Sequence, residues 1–221
     1  MQGQTPDEKD RRGLADGAHF LRSFVTAPRL TGAVAPSGRA LARAMATAIG
    51  PAPHGLIVEL GPGTGPVTES LIEVGVARER LVLVEYDSGF CGLLKERFAP
   101  AKIVQGDAYD LAVALAEFAG EPIAAVVSSL PLLNQPPARR EKLIGDAFSL
   151  MGRAGVFVQF TYGFGSPIPR EVCARRYFAH RGRPIWRNLP PARVWTYRLA
   201  VDAGGGESAA LGRASNESRE A

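Results

Sequence analysis

Acidic residues and glycines stand at the ends of three apolar segments of this sequence, and these residue types can bind a nucleoside. The first segment ends in E-L-G-P-G-T-G at residues 59–65, the second in E-Y-D at residues 85–87, and the third in G-D-A at residues 106–108. Glycine lets the main chain pass close to a ligand. An ionised carboxylate accepts hydrogen bonds and donates none, so these acids fit a ligand that carries hydroxyl or amino groups.

Short apolar runs alternate with helical stretches along the chain, and this pattern predicts the elements that position the acids. Strands are predicted at residues 56–60, 81–85, 102–105, 123–127 and 155–162, and helices at residues 67–76, 88–98, 111–118, 137–151 and 170–179. Nearly continuous apolar strands joined by helices are typical of a parallel sheet covered on both faces. Strands at 184–188 and 193–199, with no helix between them, predict an antiparallel edge hairpin. The predicted fold class is α/β, a doubly wound Rossmann-like, mostly parallel sheet of seven strands.

In such a sheet, ligands bind beyond the carboxyl ends of the strands, where the three acidic segments meet. Glu85 lies 20 residues beyond Gly65, the spacing at which a Rossmann-type fold places a carboxylate on ribose hydroxyls. The loop G-P-G-T-G departs from the dinucleotide pattern G-x-G-x-x-G, which favours a nucleoside and leaves NAD as the alternative. Taken alone, Asp107 also fits an ordinary turn or a helix cap.

This combination of motifs resembles the class I S-adenosylmethionine-dependent methyltransferases over roughly residues 30–199. The resemblance implies S-adenosylmethionine as cofactor and S-adenosylhomocysteine as product. It implies that Glu59 holds the amino end of the methionine moiety, that Glu85 accepts the ribose hydroxyls, and that Asp107 accepts the adenine amino group. The other cofactor-binding residues that it implies are Ser37, Gly61, Gly63, Thr64, Gly65, Tyr86, Ala108 and Ser128.

The end of the fourth strand indicates what receives the methyl group. The related rRNA adenine dimethylases carry Asn-Leu-Pro-Tyr or Asn-Leu-Pro-Phe there, whose aromatic ring stacks on the target base. This sequence has S-L-P-L at residues 129–132, so both the amide and the ring are missing. A flipped nucleobase would lose its stacking partner, which argues against a nucleic-acid base as substrate.

Three longer stretches, at residues 21–45, 126–140 and 157–170, resemble the short, soluble-type bacterial phospholipid N-methyltransferases. The phrases R-L-T-G-A-V-A-P-S-G and Q-F-T-Y-G carry this resemblance. It implies successive methylation of the head-group amine of phosphatidylethanolamine toward phosphatidylcholine. The alternatives are a relative of the rRNA adenine dimethylases and a non-catalytic basic protein of the same fold that binds RNA or membrane.

Methyl transfer to an amine requires positioning rather than a metal ion. The three histidines, His19, His54 and His180, show no metal-ligand spacing, so no metal is expected. The residues predicted to be catalytic are Tyr162 and Ser129, whose polar groups would orient the amine. Tyr162 also fits a packing residue at a strand end, and the serine also fits a position where the main chain must meet the cofactor.

Positive charge is concentrated late in the chain and predicts a polyanionic partner. Residues 139–198 carry twelve basic and three acidic residues, although the whole chain carries a net charge of only +4. An anionic membrane surface and RNA phosphates both fit such a segment. The residues predicted to contact lipid are Arg170, Arg175 and Arg176, together with Phe20, Leu21, Arg22 and Phe24 of a basic amphipathic helix. That helix also fits a lid over the cofactor.

Three segments are predicted: an N-terminal amphipathic helical extension at residues 1–30, a methyltransferase domain at 31–200, and a disordered tail at 201–221. No apolar run approaches the roughly 18 residues of a membrane span, and the N-terminal sequence lacks the apolar core of a secretory signal. We therefore expect a cytoplasmic protein, peripherally bound to the inner face of the cell membrane, with phospholipid rather than nucleic acid as its partner.

Overall fold

The computed structural model describes residues 36–51, 54–188 and 190–200, and the described side chains begin at residue 38. The predicted N-terminal extension, with Phe20, Leu21, Arg22 and Phe24, lies outside these ranges, as does the predicted tail at 201–221. Those predictions therefore stay predictions.

A seven-stranded mixed sheet lies at the centre of the described residues, in the order β3-β2-β1-β4-β5-β7-β6. The strands are β1 (Leu56–Leu60), β2 (Leu81–Glu85), β3 (Lys102–Gln105), β4 (Ile123–Ser128), β5 (Val156–Thr161), β6 (Tyr177–Arg181) and β7 (Arg193–Leu199). The first five strands pair in parallel, and β7 pairs antiparallel with both β5 and β6. The predicted fold class is confirmed.

Helices cover both faces of the sheet because alternate residues of each strand point to opposite sides. The helices are α1 (Pro36–Thr47), α2 (Pro66–Glu73), α3 (Ser88–Phe98), α4 (Leu111–Ala114), α5 (Pro137–Met151) and α6 (Arg170–Arg176). Ile57 of β1 belongs to the apolar cluster that α1, α2 and α3 cover. Its neighbour Val58 belongs to the cluster on the other face, which α4 and α5 cover. Both strand residues are fully buried.

The edge hairpin is present, but its outer strand is not the predicted one. The predicted strand at 184–188 makes only an isolated bridge, between Ile185 and Ala192. The strand that pairs with β7 is instead β6, and α6 ends at Arg176 rather than at residue 179.

Packing and hydrogen bonding explain this difference. Tyr177 is buried, and its ring stacks on that of Phe148 in α5 with centroids 5.0 Å apart. An aromatic residue fixed against the core in this way favours an extended chain over another helical turn. Pro184 has no N–H to donate to a neighbouring strand, so residues after Gly182 form a loop instead.

Three backbone hydrogen bonds join the loops at the carboxyl edge of the sheet. The Gly61 N–H donates to a carbonyl of β2, the Gly106 N–H to the Glu85 carbonyl, and the Ser129 N–H to the Leu60 carbonyl, over 2.9–3.0 Å. These bonds continue the strand pairing beyond β1, β3 and β4. These bonds hold the loops after β1, β3 and β4, which carry most of the predicted cofactor-binding residues, together at one edge of the sheet.

Candidate active site

The loop between β1 and α2 has a backbone that only glycine adopts without strain. Gly61, Gly63 and Gly65 have φ angles of +67°, +58° and +86°. Side chains rarely tolerate this left-handed region. At Gly65 a Cβ atom would also lie 2.3 Å from the ring of Phe98 in α3. The loop therefore lies close to α3 and keeps its main chain open on the outer side at Gly63, where a Cβ would meet nothing within 4 Å.

Glu85, at the end of β2, holds this glycine loop. Its carboxylate is buried, with 7% of the residue exposed. One oxygen accepts the Gly63 N–H over 3.0 Å, and the other accepts the N–H groups of Tyr86 and Asp87 over 2.8 and 3.0 Å. A carboxylate has about four lone-pair sites, so capacity remains for a ligand hydroxyl. The predicted ribose contact stays a prediction.

Glu59 is a buried acid beside the glycine loop, and one of its two carboxylate oxygens lacks a hydrogen-bond partner among the described residues. It is fully buried, and the Thr68 hydroxyl of α2 donates to its Oε2 over 2.6 Å. Its Oε1 is buried and has no hydrogen-bond partner among the described residues. Burial raises the pKa of Glu59 to about 8, and the nearby Glu85 charge adds to this although the Thr68 bond opposes it. An unpartnered buried oxygen in this place fits a polar ligand group above the loop.

Asp107 follows β3 and is oriented by two contacts, of which the sequence indicated only the first. Its Oδ1 accepts the Tyr109 N–H over 2.9 Å, so the turn that the sequence left open is present. Its Oδ2 lies 3.4 Å from a guanidinium nitrogen of Arg139 in α5. The Arg139 guanidinium also stacks on the Tyr109 ring, 4.3 Å from its centroid. Arg139 is 32 positions away in sequence, and no local spacing pointed to it.

A cleft of about 540 Å³ opens between the ends of β2 and β3. Its lining consists of Tyr86, Asp87, Ser88, Gln105 and Gly106. The Tyr86 side chain is 65% exposed, so its ring is available to a flat ligand. Gly106 is one of the five lining residues, and a glycine there lets a ligand approach the backbone closely.

The loop after β4 presents a second unpartnered polar atom. Ser129 Oγ is buried and has no hydrogen-bond partner among the described residues, whereas Ser128 Oγ accepts the Leu130 N–H over 3.4 Å. The side-chain amide of Gln159 in β5 donates to the carbonyls of Leu130 and Phe160, both over 2.9 Å. Gln159 therefore fixes the loop that carries Ser129, a role that sequence reasoning missed.

Tyr162 follows β5 at the same edge of the sheet. It is 41% exposed, and its ring packs edge-on against Phe160 with centroids 5.3 Å apart. Partial burial raises the pKa of the Tyr162 hydroxyl, and a hydrogen bond with Asn188 opposes the shift. Asn188 is itself buried and also donates to the Pro190 carbonyl over 2.7 Å. Tyr162 thus combines a fixed hydroxyl with an accessible ring.

The structure does not bring every predicted residue to this edge. Arg170 begins α6 just after the loop that follows β5, but Arg175 and Arg176 end that helix immediately before β6 begins. Because β6 runs in the same direction as β5, its first residue lies at the opposite edge of the sheet. Ser37 lies in α1, but its side chain falls outside the described part. The remaining predicted cofactor residues, Thr64 and Ala108, lie in the loops after β1 and β3.

The described ranges contain neither a cluster of metal-ligating side chains nor a helix that could span a membrane. Within residues 36–51, 54–188 and 190–200, no three His, Cys, Asp or Glu side chains come together in a way that could hold a metal ion. None of the helices in those ranges combines the length and the apolar character that crossing a membrane requires.

Comparison with known proteins identifies relatives of this chain. The profile of the family Ribosomal RNA adenine dimethylase matches residues 38–135. The ornithine lipid N-methyltransferase of Singulisphaera acidiphila is 31% identical over 183 residues, which cover 81% of this chain and 94% of that protein. The Ribosomal RNA small subunit methyltransferase A of Rhodospirillum rubrum is 30% identical over 169 residues, which cover 75% of this chain but 48% of that protein.

A solved structure shares the fold over most of its length. The 1,6-didemethyltoxoflavin-N1-methyltransferase of Burkholderia thailandensis, with bound S-adenosylhomocysteine, has a TM-score of 0.64 and 15% identity, over 91% of this chain and 93% of that one. The relatives in sequence and in structure are methyltransferases. The cofactor of this chain is therefore S-adenosylmethionine, and the open glycine loop, the cleft and the unpartnered Glu59 oxygen fit it.

Proposed function

Because the chain belongs to the family of S-adenosylmethionine-dependent methyltransferases that includes the ornithine lipid N-methyltransferase of Singulisphaera acidiphila, we propose that it methylates the head-group amine of a membrane lipid. The proposed substrate is phosphatidylethanolamine, together with its mono- and dimethyl derivatives, toward phosphatidylcholine. The resemblance of residues 21–45, 126–140 and 157–170 to phospholipid N-methyltransferases supports this choice.

The loop after β4 is the observation that carries the proposal. It offers the amine a small hydroxyl, Ser129 Oγ, rather than an amide, and Leu132 is buried in the core where the adenine dimethylases carry a stacking ring. The Pro131 carbonyl accepts the Asn134 N–H over 3.0 Å, and the Leu130 carbonyl accepts from Gln159 and Leu132. An acceptor loop that carries a hydroxyl in place of the amide, and a buried leucine in place of the ring, fits an aliphatic amine better than a planar base.

The chain's own residues would bind and orient the amine. When bound, S-adenosylmethionine would supply the methyl group: the lone pair of a neutral amine would bond to the methyl carbon as the carbon–sulfur bond breaks. S-adenosylhomocysteine would leave, and the positive charge would pass from the sulfur to the nitrogen. Ser129 Oγ and the Tyr162 hydroxyl are proposed to accept the amine N–H groups and align that lone pair. Because the pKa of Tyr162 is raised above its ordinary value, the hydroxyl stays protonated at neutral pH and orients the amine rather than acting as a base. The exposed ring can also face a cationic, partly methylated amine.

Residues away from the amine would hold the cofactor. Glu85 and Asp107 are proposed to accept the ribose hydroxyls and the adenine amino group, with Tyr86 against the adenine face. Glu59, through its unpartnered oxygen, is proposed to hold the amino end of the methionine moiety. The cleft between the ends of β2 and β3 and the Ser129 loop after β4 lie at different positions along one sheet edge, which leaves separate places for the cofactor's adenine and for the lipid amine.

The direct test is methyl transfer from labelled S-adenosylmethionine to defined acceptors. Full-length protein would be incubated with vesicles that contain phosphatidylethanolamine, with vesicles that contain an ornithine lipid, and with ribosomal RNA. We expect label in the phosphatidylethanolamine fraction, with mono-, di- and trimethylated products separated by chromatography. Label in the ornithine lipid alone would keep the lipid N-methyltransferase and reject the phospholipid. Label in RNA alone would reject the proposal.

The RNA arm is included because one observation favours that second candidate. The adenine dimethylase profile covers residues 38–135, which include the glycine loop, Glu85 and Asp107. These residues bind cofactor in the proposed scheme, however, so the match bears on the cofactor more than on the acceptor. The acceptor loop, residues 129–132, departs from the adenine dimethylase pattern at two of its four positions, Ser129 and Leu132.

Tyr162→Phe separates the proposed role of the hydroxyl from that of the ring. Loss of one orienting hydrogen bond, worth about 0.5–1.5 kcal/mol, should lower kcat on phosphatidylethanolamine roughly 2- to 12-fold and leave the affinity for S-adenosylhomocysteine unchanged. Tyr162→Leu should lower kcat further if the ring also contacts the amine. Unchanged kcat in Tyr162→Phe would remove the hydroxyl from the proposed mechanism.

A further inference from the structure

We propose that the loops at the carboxyl edge of β4, β5 and β6 form a bilayer-docking surface that inserts into anionic phospholipid membranes. The docking surface consists of Leu133, Tyr162, Phe164 and Trp186 with the arginines around them. The inference rests on the proposed lipid substrate, and it adds where the protein meets the membrane and in which orientation.

The four apolar residues of the docking surface are each at least 41% exposed to solvent. Phe164 is 90% exposed, Trp186 is 75% exposed, Leu133 is 50% exposed and Tyr162 is 41% exposed. Single exposed apolar residues are normal on protein surfaces. Several that adjoin one another mark a contact surface for a partner or a membrane.

Contacts between the loops make these residues neighbours. A Cβ atom at Gly163 would lie 3.0 Å from Leu133 Cδ1, so the Leu133 side chain rests on the loop that carries Phe164. Tyr162 in turn forms a hydrogen bond with Asn188 of the loop that carries Trp186. The loops after β4, β5 and β6 are therefore joined in a row.

Sheet topology places this row beside the site. The strands β4, β5 and β6 run in the same direction, so the loops that follow them leave the sheet at the same edge as the glycine loop and Ser129. A membrane against this row would lie next to Ser129 and Tyr162. The lipid amine could then reach the site while its acyl chains stay in the bilayer.

Charge favours an anionic bilayer as the occupant. Residues 181–193 contain four arginines, Arg181, Arg183, Arg187 and Arg193, and no acidic residue. The first three are exposed. Aromatic side chains at the head-group level, with arginines near the anionic surface, are the pattern of peripheral membrane contacts. Trp186 lies between Arg183 and Arg187 in sequence, so insertion of its ring into the bilayer and attraction of the arginines to anionic lipid act at the same place.

A single-stranded RNA would also meet basic and aromatic residues, and the two partners differ in what they require. Bases stack on aromatic rings, whereas an acyl layer accepts any apolar side chain. Leu133 offers no stacking face, and it lies at the end of the row that adjoins the acceptor loop. The observations therefore favour the bilayer, and RNA is one of the outcomes of the test.

The test compares two pairs of substitutions in the full chain. Phe164→Ser with Trp186→Ser removes the two most exposed side chains of the docking surface. The matched control is Val74→Ser with Phe178→Ser. Val74, just after α2, is 41% exposed, and Phe178, on the outer strand β6, is 64% exposed. Each protein would be sedimented with phosphatidylglycerol-containing vesicles and with pure phosphatidylcholine vesicles, and titrated with S-adenosylhomocysteine to establish folding.

We expect the Phe164–Trp186 variant to bind anionic vesicles at least tenfold more weakly than wild type, with unchanged affinity for S-adenosylhomocysteine, and the control to bind like wild type. Equal vesicle binding by both variants would overturn the proposal. Retained vesicle binding with lost binding of a single-stranded RNA would assign the surface to nucleic acid and overturn it as well.

Methylation of a water-soluble, short-chain phosphatidylethanolamine distinguishes failure of the docking surface from failure of the proposed function. If wild type and the Phe164–Trp186 variant methylate this substrate equally while only wild type methylates vesicles, both proposals stand. If neither methylates any phosphatidylethanolamine but vesicle binding still depends on Phe164 and Trp186, the docking surface stands and the substrate assignment fails.

Discussion

Asp107 is the residue at which one side-chain atom should decide cofactor recognition. Its Oδ1 accepts the Tyr109 N–H, and its Oδ2 accepts a long hydrogen bond of 3.4 Å from Arg139. A carboxylate has about four lone-pair sites, so an acceptor remains for the adenine amino group. Asp107→Asn replaces that acceptor charge by an amide of the same shape. Because hydrogen bonds to charged groups contribute about 1.5–3 kcal/mol, we expect roughly 10- to 100-fold weaker binding of S-adenosylhomocysteine by calorimetric titration.

Asp110→Asn is the matched control for this prediction. Asp110 is an exposed acid three positions away, at the start of α4, and its side chain makes no capping hydrogen bond. The same loss of charge there should leave the affinity unchanged. Equal weakening in both variants would mean that general charge, rather than the Asp107 oxygen, attracts the cofactor.

Glu59 makes stability depend on pH, because its pKa is about 8 in the folded chain against an ordinary value of 4.5. The folded state therefore binds the Glu59 proton between those values while the unfolded state has lost it. The stabilisation is complete below about pH 4.5 and is lost as pH rises through 8, by at most about 1.4 kcal/mol per pH unit. Glu59→Gln, which cannot ionise, should show a smaller fall of Tm between pH 5 and pH 8 than wild type.

Denaturation scans of both proteins across that pH range would check this prediction. Parallel Tm curves for wild type and Glu59→Gln would show that Glu59 is ionised in the fold, and the unpartnered oxygen would then need a charged partner. Addition of S-adenosylhomocysteine should reduce the difference between the curves if the ligand's ammonium group contacts Glu59.

Among the elements, the glycine loop and α3 fit together only because Gly65 has no side chain. Both its φ of +86° and the 2.3 Å approach to Phe98 oppose a Cβ atom. Gly65→Ala should destabilise the fold by about 2–4 kcal/mol, from backbone strain of about 1 kcal/mol plus overpacking of about 1–3 kcal/mol. Urea denaturation measures this loss.

Gly75→Ala provides the control for strain without a clash. Gly75 has a φ of +99°, and a Cβ there would meet nothing within 4 Å. Its substitution should cost only the backbone strain. If the two variants lose the same stability, the contact between the loop and α3 relaxes freely, and the loop is less rigid than its packing indicates.

The elements also show which parts of the fold the sequence predicts. Strands β1, β2 and β3 have the predicted bounds because each contains a short apolar run, and glycines flank β1 on both sides and follow β3. The outer strand of the hairpin was predicted wrongly because residues 177–181 and 184–188 both contain aromatic residues, and only pairing with β7 distinguishes them. Such a choice depends on contacts between distant segments, which a local pattern does not contain.

The same physical reason separates the predicted site residues from those that were missed. Glu59, Glu85 and Asp107 could be located at one sheet edge because each lies at or just after the end of an apolar strand that is visible in the sequence. Arg139 and Asn188 act on Asp107 and Tyr162 from helices and loops that are 26 or more positions away. No spacing rule links them, so only the packed structure identifies them as positioning residues.

Across the whole molecule, charge divides the sheet into two halves. Residues 50–127, which form β1 to β3 and most of β4, carry five basic and eleven acidic residues. Residues 139–198, which form β5 to β7, carry twelve basic and three acidic residues. Because β5, β7 and β6 lie together at one end of the sheet, an anionic surface attracts that end and repels the other. The molecule should therefore approach a membrane in one orientation.

This asymmetry predicts that salt weakens membrane binding but not cofactor binding. The Debye length falls from about 10 Å at 0.1 M salt to about 3 Å at 1 M, and each arginine near an anionic surface contributes about 1 kcal/mol. Raising the salt concentration over that range should weaken binding to phosphatidylglycerol vesicles at least roughly tenfold, as measured by sedimentation. Arg183→Gln with Arg187→Gln should reduce this salt dependence, since both arginines flank Trp186, and should leave the affinity for S-adenosylhomocysteine unchanged. Salt-independent binding to anionic vesicles would mean that apolar insertion alone attaches the protein, and the basic half of the sheet would then have no role in its orientation.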